Sequence, residues 1–268
     1  MEKVKDALII VSGGMDSTTM LYEYAEEIAL AVTFDYGANH GPKEIPLAKM
    51  HCQRLGIPHI VVSVDFMQKY FQSSLLSGAE AVPEGNYDDE NMRSTVVPFR
   101  NGIMLSIACG IAESHGLKRL MIANHAGDHA IYPDCRKAFV EAMSQATQEG
   151  TYPGIQILAP YTNISKADIA ARGSQLGIDY SKTWSCYKGG EYHCGKCGTC
   201  MERKEALAAA GIYYYVDIIG DRRLSHLSHV IACHPALGFQ VGAAHIYHDR
   251  NDIRTVTVDH RALGSGTV

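Results

Sequence analysis

Long hydrophobic runs and an excess of positive charge are both missing from this 268-residue chain. No stretch approaches the roughly 20 consecutive apolar residues that a membrane-spanning helix needs, so we expect no contact with a membrane. Twenty-four Lys and Arg residues stand against 29 Asp and Glu residues, which gives a formal net charge of -5. This balance shows no sign of the positive surface that dominates DNA binding. We therefore expect no direct nucleic-acid partner.

The N-terminal sequence also lacks a signal-peptide pattern, because "MEKVKDALIIV" enters a strand-like apolar run directly. The eight cysteines are therefore expected in a reducing cytoplasm, where close spacing favours metal or redox chemistry over disulfides. Hydrophobic residues make up 46% of the chain and charged residues 20%, which is the balance of an ordinary globular protein. We expect a cytoplasmic protein with one large domain or two small ones.

Strand-like segments alternate with helical segments through the first part of the chain. Strands are predicted at residues 7–11, 28–36, 59–64 and 119–124, and helices at about 16–27, 42–55, 100–116, 135–149 and 165–176. Pro42 at a first turn and Gly56 after a last turn are typical helix boundaries, and Ser165 with Asp168 resembles a capping box. The alternation predicts an α/β fold, a doubly wound and mainly parallel sheet with helices on both faces.

The segment "IIVSGGMDSTTML" contains the loop between the first strand and the first helix. Ligands bind doubly wound sheets outside the carboxyl ends of the strands, where helix N-termini present free N–H groups. Gly13 and Gly14 allow close approach of a ligand, and Ser12, Ser17 and Thr18 add hydroxyl groups, a combination that suits phosphate. No lysine follows, so this is not the GxxxxGK[ST] loop. The alternative is a plain turn with a Ser or Asp helix cap.

The sequence "SGGMDST" after a first strand resembles the PP-loop of the N-type ATP pyrophosphatases. This resemblance implies an adenine nucleotide alpha hydrolase-like fold and the cleavage of ATP to AMP and pyrophosphate. Pyrophosphate would rest on the loop and the helix N-terminus, and Asp16 would help to hold Mg²⁺. The nucleotide-binding residues would then be Ile10, Val11, Ser12, Gly13, Gly14, Met15, Asp16, Ser17, Thr18, Thr19 and Met20.

Four cysteines lie within fifteen residues of one another, in "CYKGGEYHCGKCGTC". Cys186, Cys194, Cys197 and Cys200 can surround a tetrahedral Zn²⁺ ion, with each sulfur about 2.3 Å from the metal. A redox pair, an iron–sulfur cluster or unpaired structural thiols are the alternatives. Four protein ligands leave no open coordination position, so the predicted zinc would organise a small C-terminal subdomain and perform no chemistry. His193 is expected to be a bystander.

The two motifs together resemble the 7-cyano-7-deazaguanine synthases of queuosine biosynthesis. The matching pieces, which span about residues 5 to 212, are "SGGMDSTT", "TFDYG", "VVPFRNGIMLSIA", "GDHAIYPDCR", "SKADI" and "TWSCYKGGEYHCGKCGTCMERKEAL". The resemblance implies a ligase that uses ATP to convert 7-carboxy-7-deazaguanine and ammonia to the nitrile. An adenylated carboxylate and an adenylated amide would be the intermediates. The resemblance also implies a homodimer.

The resemblance assigns roles to polar residues at the sheet edge. Besides Asp16 and Ser17, the catalytic candidates are Arg100 and Lys166, which would contact phosphate, substrate carboxylate or adenylate; the alternative for each is an exposed residue at a helix start. Residues 34–37 would lie near the adenosine. The substrate-binding candidates are the polar residues of "GDHAIYPDCR", namely Asp128, Tyr132, Asp134 and Arg136. Asp134 or Asp128 would accept two hydrogen bonds from the amidine-like edge of a deazaguanine.

Two further features leave alternatives open. Cys135 is either a nucleophile or a buried thiol, and no base is identifiable beside it. Residues 82–95 form an acidic, glycine-containing loop, which is either a lid that excludes water from the adenylate or an inert surface excursion.

The chain is predicted to divide into a nucleotide-binding domain (residues 1–180), a zinc-binding helical subdomain (181–212) and an unassigned extension (213–268). The extension has no Lys and no Glu and contains six of the thirteen histidines. It has no counterpart in the family. A lineage-specific extension, an oligomerisation element and a tail read from an altered frame all remain open, as does a second metal site near His245 and His248.

Three other functions compete with the ligase. A related enzyme could adenylate the same deazaguanine carboxylate and conjugate it to another amine, such as a protein terminus. A PP-loop ATPase could modify tRNA by thiolation, although Cys109 and Cys135 are not evidently paired. A non-catalytic zinc module that binds nucleic acid is disfavoured by the acidic balance and the intact loop.

Overall fold

A five-stranded parallel sheet with strand order β3-β2-β1-β4-β5 lies at the centre of the computed structural model, which describes residues 4–87 and 90–212. The strands are β1 (Ala7–Ile10), β2 (Ile28–Asp35), β3 (His59–Ser63), β4 (Arg119–Met121) and β5 (Gln156–Leu158). The helices are α1 (Met15–Glu23), α2 (Gly41–Arg54), α3 (Phe66–Tyr70), α4 (Arg100–Ser114), α5 (Lys137–Gly150), α6 (Lys166–Gln175) and α7 (Gly198–Ala209).

Helices cover both faces of the sheet, and the alternation of side chains along β1 shows this directly. Leu8 is fully buried in a core cluster that includes Leu105 of α4. Its neighbour Ile9 points to the opposite face and packs in a second cluster with Met20 of α1 and Ile169 of α6. Because successive side chains on a strand alternate between faces, an apolar run such as "ALIIV" needs a core on each side. The predicted α/β fold is confirmed.

The order of the strands reverses between β1 and β4, and this reversal creates the cleft of the molecule. Leu8 of β1 pairs with Leu120 of β4, and Ile9 pairs with Met121. The segments that follow the two strands therefore leave the same edge of the sheet side by side. In doubly wound folds this switch point is where ligands bind.

Several element boundaries differ from the sequence-based expectation. Helix α1 ends at Glu23, four residues before the predicted end, because the chain turns there and the N–H of Glu27 donates to the carbonyl of Tyr24 at 2.8 Å. Strand β5 and the one-turn helix α3 were not predicted, since three and five residues are too short to show a period. The capping box at Ser165 and Asp168 is confirmed by reciprocal hydrogen bonds of 3.0 and 3.1 Å.

The segment Glu90–Ser114 is long and apolar enough, by length and composition, to cross a membrane, but half of its most apolar window is buried inside the structure. It is also not one continuous helix. A short 3₁₀ turn ends at Thr95, and α4 begins at Arg100 with 15 residues, fewer than the roughly 20 that a membrane span requires. Helix α4 is a core helix of the sheet.

The predicted zinc subdomain packs closely on the rest of the fold. Leu207 of α7 shares a buried cluster with Met15 of α1, Ala170 of α6 and Ile178. The proposed domain boundary at residue 180 stays a prediction. The extension 213–268, with its histidines, lies outside the described residues.

The contact between α6 and Tyr180 provides a test of this packing. A methyl group on Gly173 would overlap the hydroxyl of Tyr180, which hydrogen-bonds Thr19 of α1 at 2.7 Å. We expect Gly173→Ala to lower the free energy of unfolding by about 1–3 kcal/mol through overpacking, as measured by urea denaturation. Gly110→Ala is the matched control, because a methyl group in that helix interior meets no atom within 4 Å and should stabilise α4 by roughly 0.5–1 kcal/mol. Equal effects of the two substitutions would contradict this packing.

Candidate active site

The loop between β1 and α1 is held in shape by its own side chains and by a neighbouring helix. The hydroxyl of Ser12 accepts the N–H of Gly14 at 3.1 Å, and the hydroxyl of Ser17 accepts the N–H of Ser12 at 3.1 Å. Gly13 has φ +91°, and a methyl group there would clash with the backbone carbonyl of Glu44 on α2. A glycine is therefore required at position 13 both for its backbone conformation and for the close approach of α2.

The N-terminus of α1 opens into a cavity of about 220 Å³ at this edge of the sheet. Gly14 is the N-cap residue, and no side chain caps the helix. The first N–H groups of a helix have no partner within the helix, so they are available to a ligand and carry the positive end of the helix dipole. Ser12, Gly14, Asp16 and Ser17 all line the cavity. In the part of the chain that the structure describes, the loop is thus open to an anion on its cavity side.

Not every residue of the predicted nucleotide-binding run faces this space. Ile10, Val11 and Met15 line the cavity with the four loop residues above. Thr18 and Thr19 are fully buried behind the loop, and the hydroxyl of Thr19 donates to the carbonyl of Met15 at 2.8 Å. Gly13, Thr18, Thr19 and Met20 are absent from the lining. Of residues 34–37, the first three line the cavity.

Lys166 lines the cavity and forms ion pairs with two carboxylates. Its Nζ lies 2.8 Å from Oε2 of Glu202 and 3.2 Å from Oδ2 of Asp16, and its side chain is only 9% exposed. Burial acts to lower the pKa of the Lys166 ammonium group, but Asp16, Glu202 and Asp128 outweigh burial and raise this pKa above its ordinary value. Lys166 is therefore a fixed positive charge beside the loop and not the exposed helix-start residue of the alternative interpretation.

His125 completes this cluster at the end of β4. Its side chain is 1% exposed, and Nε2 lies 3.4–3.8 Å from carboxylate oxygens of Asp16, Asp128 and Glu202. Nδ1 of the ring accepts the N–H of Gly127 at 3.1 Å, and Asp128 accepts the N–H of His125 at 3.0 Å. The segment after β4 is thereby folded into a capping turn that holds Asp128 towards the loop after β1.

Arg100 reaches the cavity from the first turn of α4. Its guanidinium donates to the hydroxyl of Tyr36 at 3.2 Å and lies 5.6 Å above that ring. The preceding Phe99 adopts a left-handed conformation with φ 53°, which costs a non-glycine residue about 1–3 kcal/mol. Asp134 caps the same helix by accepting the N–H of Asn101 at 2.8 Å. The exposed-residue interpretation of Arg100 is thus not supported, because the helix start faces inward.

The four predicted substrate-binding residues are not all brought together. Asp128 and Tyr132 line the cavity. Asp134 is buried but is occupied by the cap of α4. Arg136 is exposed, and its Nε donates to the carbonyl of His129 at 3.0 Å. The structure therefore places two of these residues where a ligand can reach them and two outside the lining.

A network of tyrosine hydroxyl groups forms the wall around Asp128. Tyr87 donates to Oδ1 of Asp128 at 2.8 Å, and Tyr132 hydrogen-bonds both Thr95 at 2.8 Å and Tyr187 at 3.1 Å. Tyr87 and Thr95 belong to the acidic loop 82–95, so the described part of this loop is not an inert surface excursion. It contributes a wall of the cavity.

Cys135 also lines the cavity, but its chemistry is that of a buried thiol. Burial raises the pKa of the Cys135 thiol well above its ordinary value, and the carboxylates of Asp128 and Asp134 add to this effect. Burial likewise raises the pKa of Cys109. A nucleophilic cysteine needs a lowered pKa, so neither residue has the environment of a reactive sulfur.

The four cysteines of the predicted metal site come together as the spacing requires. Their sulfur atoms all lie within 4.8 Å of one another, and Sγ of Cys194 is 3.9 Å from Sγ of Cys200. Four sulfurs about 2.3 Å from a tetrahedral ion would be about 3.8 Å apart. Hydrogen bonds from the thiols of Cys186, Cys197 and Cys200 hold the pKa of Cys194 well below its ordinary value. This group could hold a metal ion such as zinc, whereas His193 is occupied by the N–H of Ser185.

Three residues of this site were missed by the sequence reasoning. Glu202 follows the last cysteine by two positions and reaches Lys166 because α7 packs on α6. His125 could have been found, since it follows a predicted strand at the ligand-binding edge. Glu44 projects into the cavity from α2, and no local signal distinguishes it from an exposed helical acid.

These features define an α/β protein in which an uncapped helix N-terminus opens into a cavity at the switch point of the sheet, with a group of four cysteines that could hold a metal ion. A sequence model of the family described as queuosine biosynthesis protein QueC matches residues 6–211. The chain belongs to this QueC family, which places it in queuosine biosynthesis.

Relatives named 7-cyano-7-deazaguanine synthase support the same assignment. One from Porphyromonas gingivalis is 60% identical over 79% of this chain and 96% of its own length. One from Desulfotalea psychrophila is 48% identical over 75% of this chain and 93% of its own length. A solved NMN synthetase from Francisella tularensis is similar only at a TM-score of 0.44 and 13% identity, over 83% of this chain and 86% of that one. The expectations of this family and of an enzyme are confirmed.

The metal group generates the first prediction for this site. We expect the purified protein to contain about one metal ion per chain, as measured by elemental mass spectrometry, and Cys197→Ser to lose this ion together with thermal stability, because a structural site contributes directly to folding. Cys109→Ser is the control, since Cys109 is a cysteine of the core outside the group. A Cys197→Ser protein with unchanged metal content and melting temperature would contradict the structural role.

Glu44 generates a second prediction, which concerns stability and pH. Burial raises the pKa of its carboxyl from 4.5 to about 8, with Arg100 opposing the shift. A raised folded-state pKa contributes stability that is complete below about pH 4.5 and is lost as the pH rises through 8. Glutamine ionises in neither state. The difference in the free energy of unfolding between Glu44→Gln and the wild type should therefore shift by about 2–4 kcal/mol in favour of the variant from pH 5 to pH 8.5.

Urea denaturation at the two pH values measures this difference. Glu141→Gln is the control, because Glu141 is 65% exposed and is paired with Lys137. The control should show no comparable change with pH. A constant difference between Glu44→Gln and the wild type at both pH values would show that Glu44 is already ionised in the folded protein.

Proposed function

We propose that this protein is an ATP-dependent ligase that converts 7-carboxy-7-deazaguanine and ammonia to 7-cyano-7-deazaguanine. The carboxylate is a poor electrophile, so AMP is first transferred to it and ammonia displaces the AMP to give an amide. A second adenylation activates the amide oxygen. Elimination of this oxygen as part of AMP, with loss of the protons on nitrogen, leaves the nitrile. The names of the relatives and the geometry of the cavity support this proposal.

The observation that carries the proposal is the uncapped N-terminus of α1 opening into the cavity. A glycine loop, free helix N–H groups and the ammonium group of Lys166 form a site for the pyrophosphate of ATP. The loop is placed at the switch point between β1 and β4, where the substrate carboxylate can approach the α-phosphate from the side of Arg100. No nucleophile of the chain is needed, because the reaction is accelerated by positioning and by stabilisation of charge.

The residues around the cavity fit magnesium as well as the nucleotide. Oδ1 of Asp16 is buried and has no hydrogen-bond partner among the described residues, which is the state expected of a carboxylate oxygen that is free to coordinate a metal ion. Mg²⁺ bound there would neutralise part of the polyphosphate charge. We propose Zn²⁺ for the four cysteines, because thiolates in tetrahedral arrangement favour it.

The deazaguanine is best placed against Asp128 and the tyrosines. Asp128 is a carboxylate in the lining, and Tyr87, Tyr132 and Tyr187 present aromatic surface and hydroxyl groups next to it. Flat heterocycles stack on such rings. Asp134 remains a candidate only if α4 releases it, because its carboxylate now caps that helix. The proposed cellular setting is the cytoplasm, and the proposed assembly is a homodimer.

One assay tests this function. Purified protein is incubated with Mg-ATP, ammonium and 7-carboxy-7-deazaguanine, and the nitrile and AMP are measured by mass spectrometry. Substrate-dependent formation of both supports the proposal. AMP formed without nitrile would favour conjugation to another amine, and the absence of substrate-dependent AMP would exclude the ligase. Thiolation of tRNA is disfavoured by the raised thiol pKa values of Cys109 and Cys135.

Lys166 should be a sensitive position in this assay. We expect Lys166→Met to lower kcat about 10²–10³-fold, because it removes a fixed positive charge from the site where negative charge develops. Lys137→Met is the matched control, since Lys137 is 64% exposed on α5, and its kcat should stay within about twofold of the wild type. A Lys166→Met enzyme with wild-type kcat would remove Lys166 from the catalytic groups.

A further inference from the structure

Glu44 is an acidic side chain on the wall of the cavity for which the adenylation steps provide no role. It lies on the first turns of α2, which packs directly against the loop after β1. A methyl group placed on Gly14 would stand 3.9 Å from Oε1 of Glu44. The carboxyl group is therefore within reach of whatever occupies the loop.

This carboxyl group is largely buried, and no hydrogen-bond donor contacts it among the described residues. Its side chain is 17% exposed, and the nearest ionisable nitrogen is Nε2 of His40 at 3.7 Å, which is too long for a hydrogen bond. Among the described residues, the carboxyl oxygens of Glu44 make no hydrogen bond. A carboxylate in this position would lie beside bound phosphate and would be repelled by it, so an additional cation or a proton is required.

The other acids of the cavity are already engaged. Asp16 is paired with Lys166 at 3.2 Å. Asp128 accepts hydrogen bonds from Tyr87 and from the backbone of His125. Asp35 accepts the N–H of Gly37 at 3.2 Å. Glu44 differs from all three because, among the described residues, its carboxyl group has no hydrogen bond and its one ion-pair contact is with Nε2 of His40 at 3.7 Å.

Amide formation creates a specific need for such a group. At neutral pH most ammonia is present as ammonium, which has no lone pair and cannot attack a carbonyl carbon. A base accepts a proton most readily when its pKa is close to that of the donor. Burial raises the pKa of Glu44 to about 8, so the smaller, ionised fraction present at neutral pH is a stronger base towards ammonium than an ordinary carboxylate is.

We propose that Glu44 binds ammonium beside the loop and accepts the proton that ammonium must lose before it attacks the adenylated substrate. This inference rests on the proposed function and adds to it the site of the nitrogen donor. The acyl carbon of an adenylate is joined through one oxygen to the α-phosphorus, which in ATP is joined through one oxygen to the pyrophosphate that the loop would hold. A group on the wall beside the loop is therefore placed near the reacting carbon.

Ammonium gives one proton to the carboxylate of Glu44, and the freed lone pair of nitrogen forms the C–N bond. The bond between the acyl carbon and the phosphate oxygen breaks, and its electron pair leaves with AMP. The nitrogen then loses a second proton to the phosphate of the departing AMP. The products are the amide, protonated AMP and neutral Glu44, whose proton passes to solvent before the next turnover.

Hydroxylamine distinguishes a base for ammonium from a role of Glu44 in adenylation or in the shape of the loop. It is mostly uncharged at neutral pH and attacks acyl-adenylates without first losing a proton, giving a hydroxamate that mass spectrometry detects. The experiment compares wild type, Glu44→Gln and Glu44→Asp with Mg-ATP and 7-carboxy-7-deazaguanine, first with ammonium and then with hydroxylamine. Melting temperatures of all three proteins establish that they are folded.

We expect Glu44→Gln to lower the rate of amide formation from ammonium about 10²–10⁴-fold, the usual contribution of a general base, and to raise the KM for ammonium. Its hydroxamate formation should stay within about threefold of the wild type, because removing the base leaves adenylation intact. Glu44→Asp should recover part of the ammonium-dependent rate.

The remaining outcomes overturn the inference. Equal loss with both nucleophiles would assign Glu44 to adenylation or to the shape of the loop. Undiminished use of ammonium by a folded Glu44→Gln enzyme would show that another group takes the proton. If the wild type forms neither AMP nor hydroxamate from this substrate, the proposed function fails and this inference fails with it. That result differs from a defect confined to the variant.

Discussion

The parallel pairing of β1 with β4 is the constraint on which the whole site depends. It brings two segments that are more than one hundred residues apart in the chain out of the same sheet edge, one carrying the glycine loop and the other His125 and Asp128. Because β2 and β5 lie on opposite outer sides of this pair, their crossover helices leave a cleft between them. Helix α6 then delivers Lys166 to the mouth of the cleft. The loop alone would be a turn at a helix start, and the pairing makes it one wall of a cavity.

The four-cysteine segment depends on the same architecture and also completes it. Thr199, beside two of the cysteines, donates to the carbonyl of Ser185 at 2.8 Å, and the buried Arg203 donates to the carbonyl of Tyr180 at 2.6 Å. These bonds fix the strand-like segment that supplies Ser185 to the cavity. On the other side, the N–H of Gly85 donates to the carbonyl of Lys196 at 3.1 Å. A metal in this group would therefore organise two walls of the cavity at some distance from any reacting atom.

What the sequence could predict follows from how local each signal is. A few adjacent residues each specify the glycine loop, the cysteine spacing and the capping box at Ser165. The sheet follows from the alternation of strand-like and helical segments over longer stretches. Glu44 and Glu202 could not be predicted as cavity residues, because their positions depend on how α2 and α7 pack on distant elements. The roles of Asp134 and Lys166 show the same limit, since local sequence gives the residue type but not whether its charge is used by a helix cap or by a buried ion pair.

If the proposed function holds, the balance of charge in the cavity favours a metal-bound nucleotide over a free one. Asp16, Asp35 and Asp128 line the cavity together with Lys166 and Arg100, so carboxylates outnumber permanent cations in the lining. A free polyphosphate would add several negative charges to this partly buried space and would compete with Glu202 for the same ammonium group. A divalent cation held by the unpartnered oxygen of Asp16 would offset part of that negative charge. For the proposed function, the acidic side of the site would therefore favour the nucleotide in its magnesium complex, and the N-terminus of α1 would add the positive end of its helix dipole.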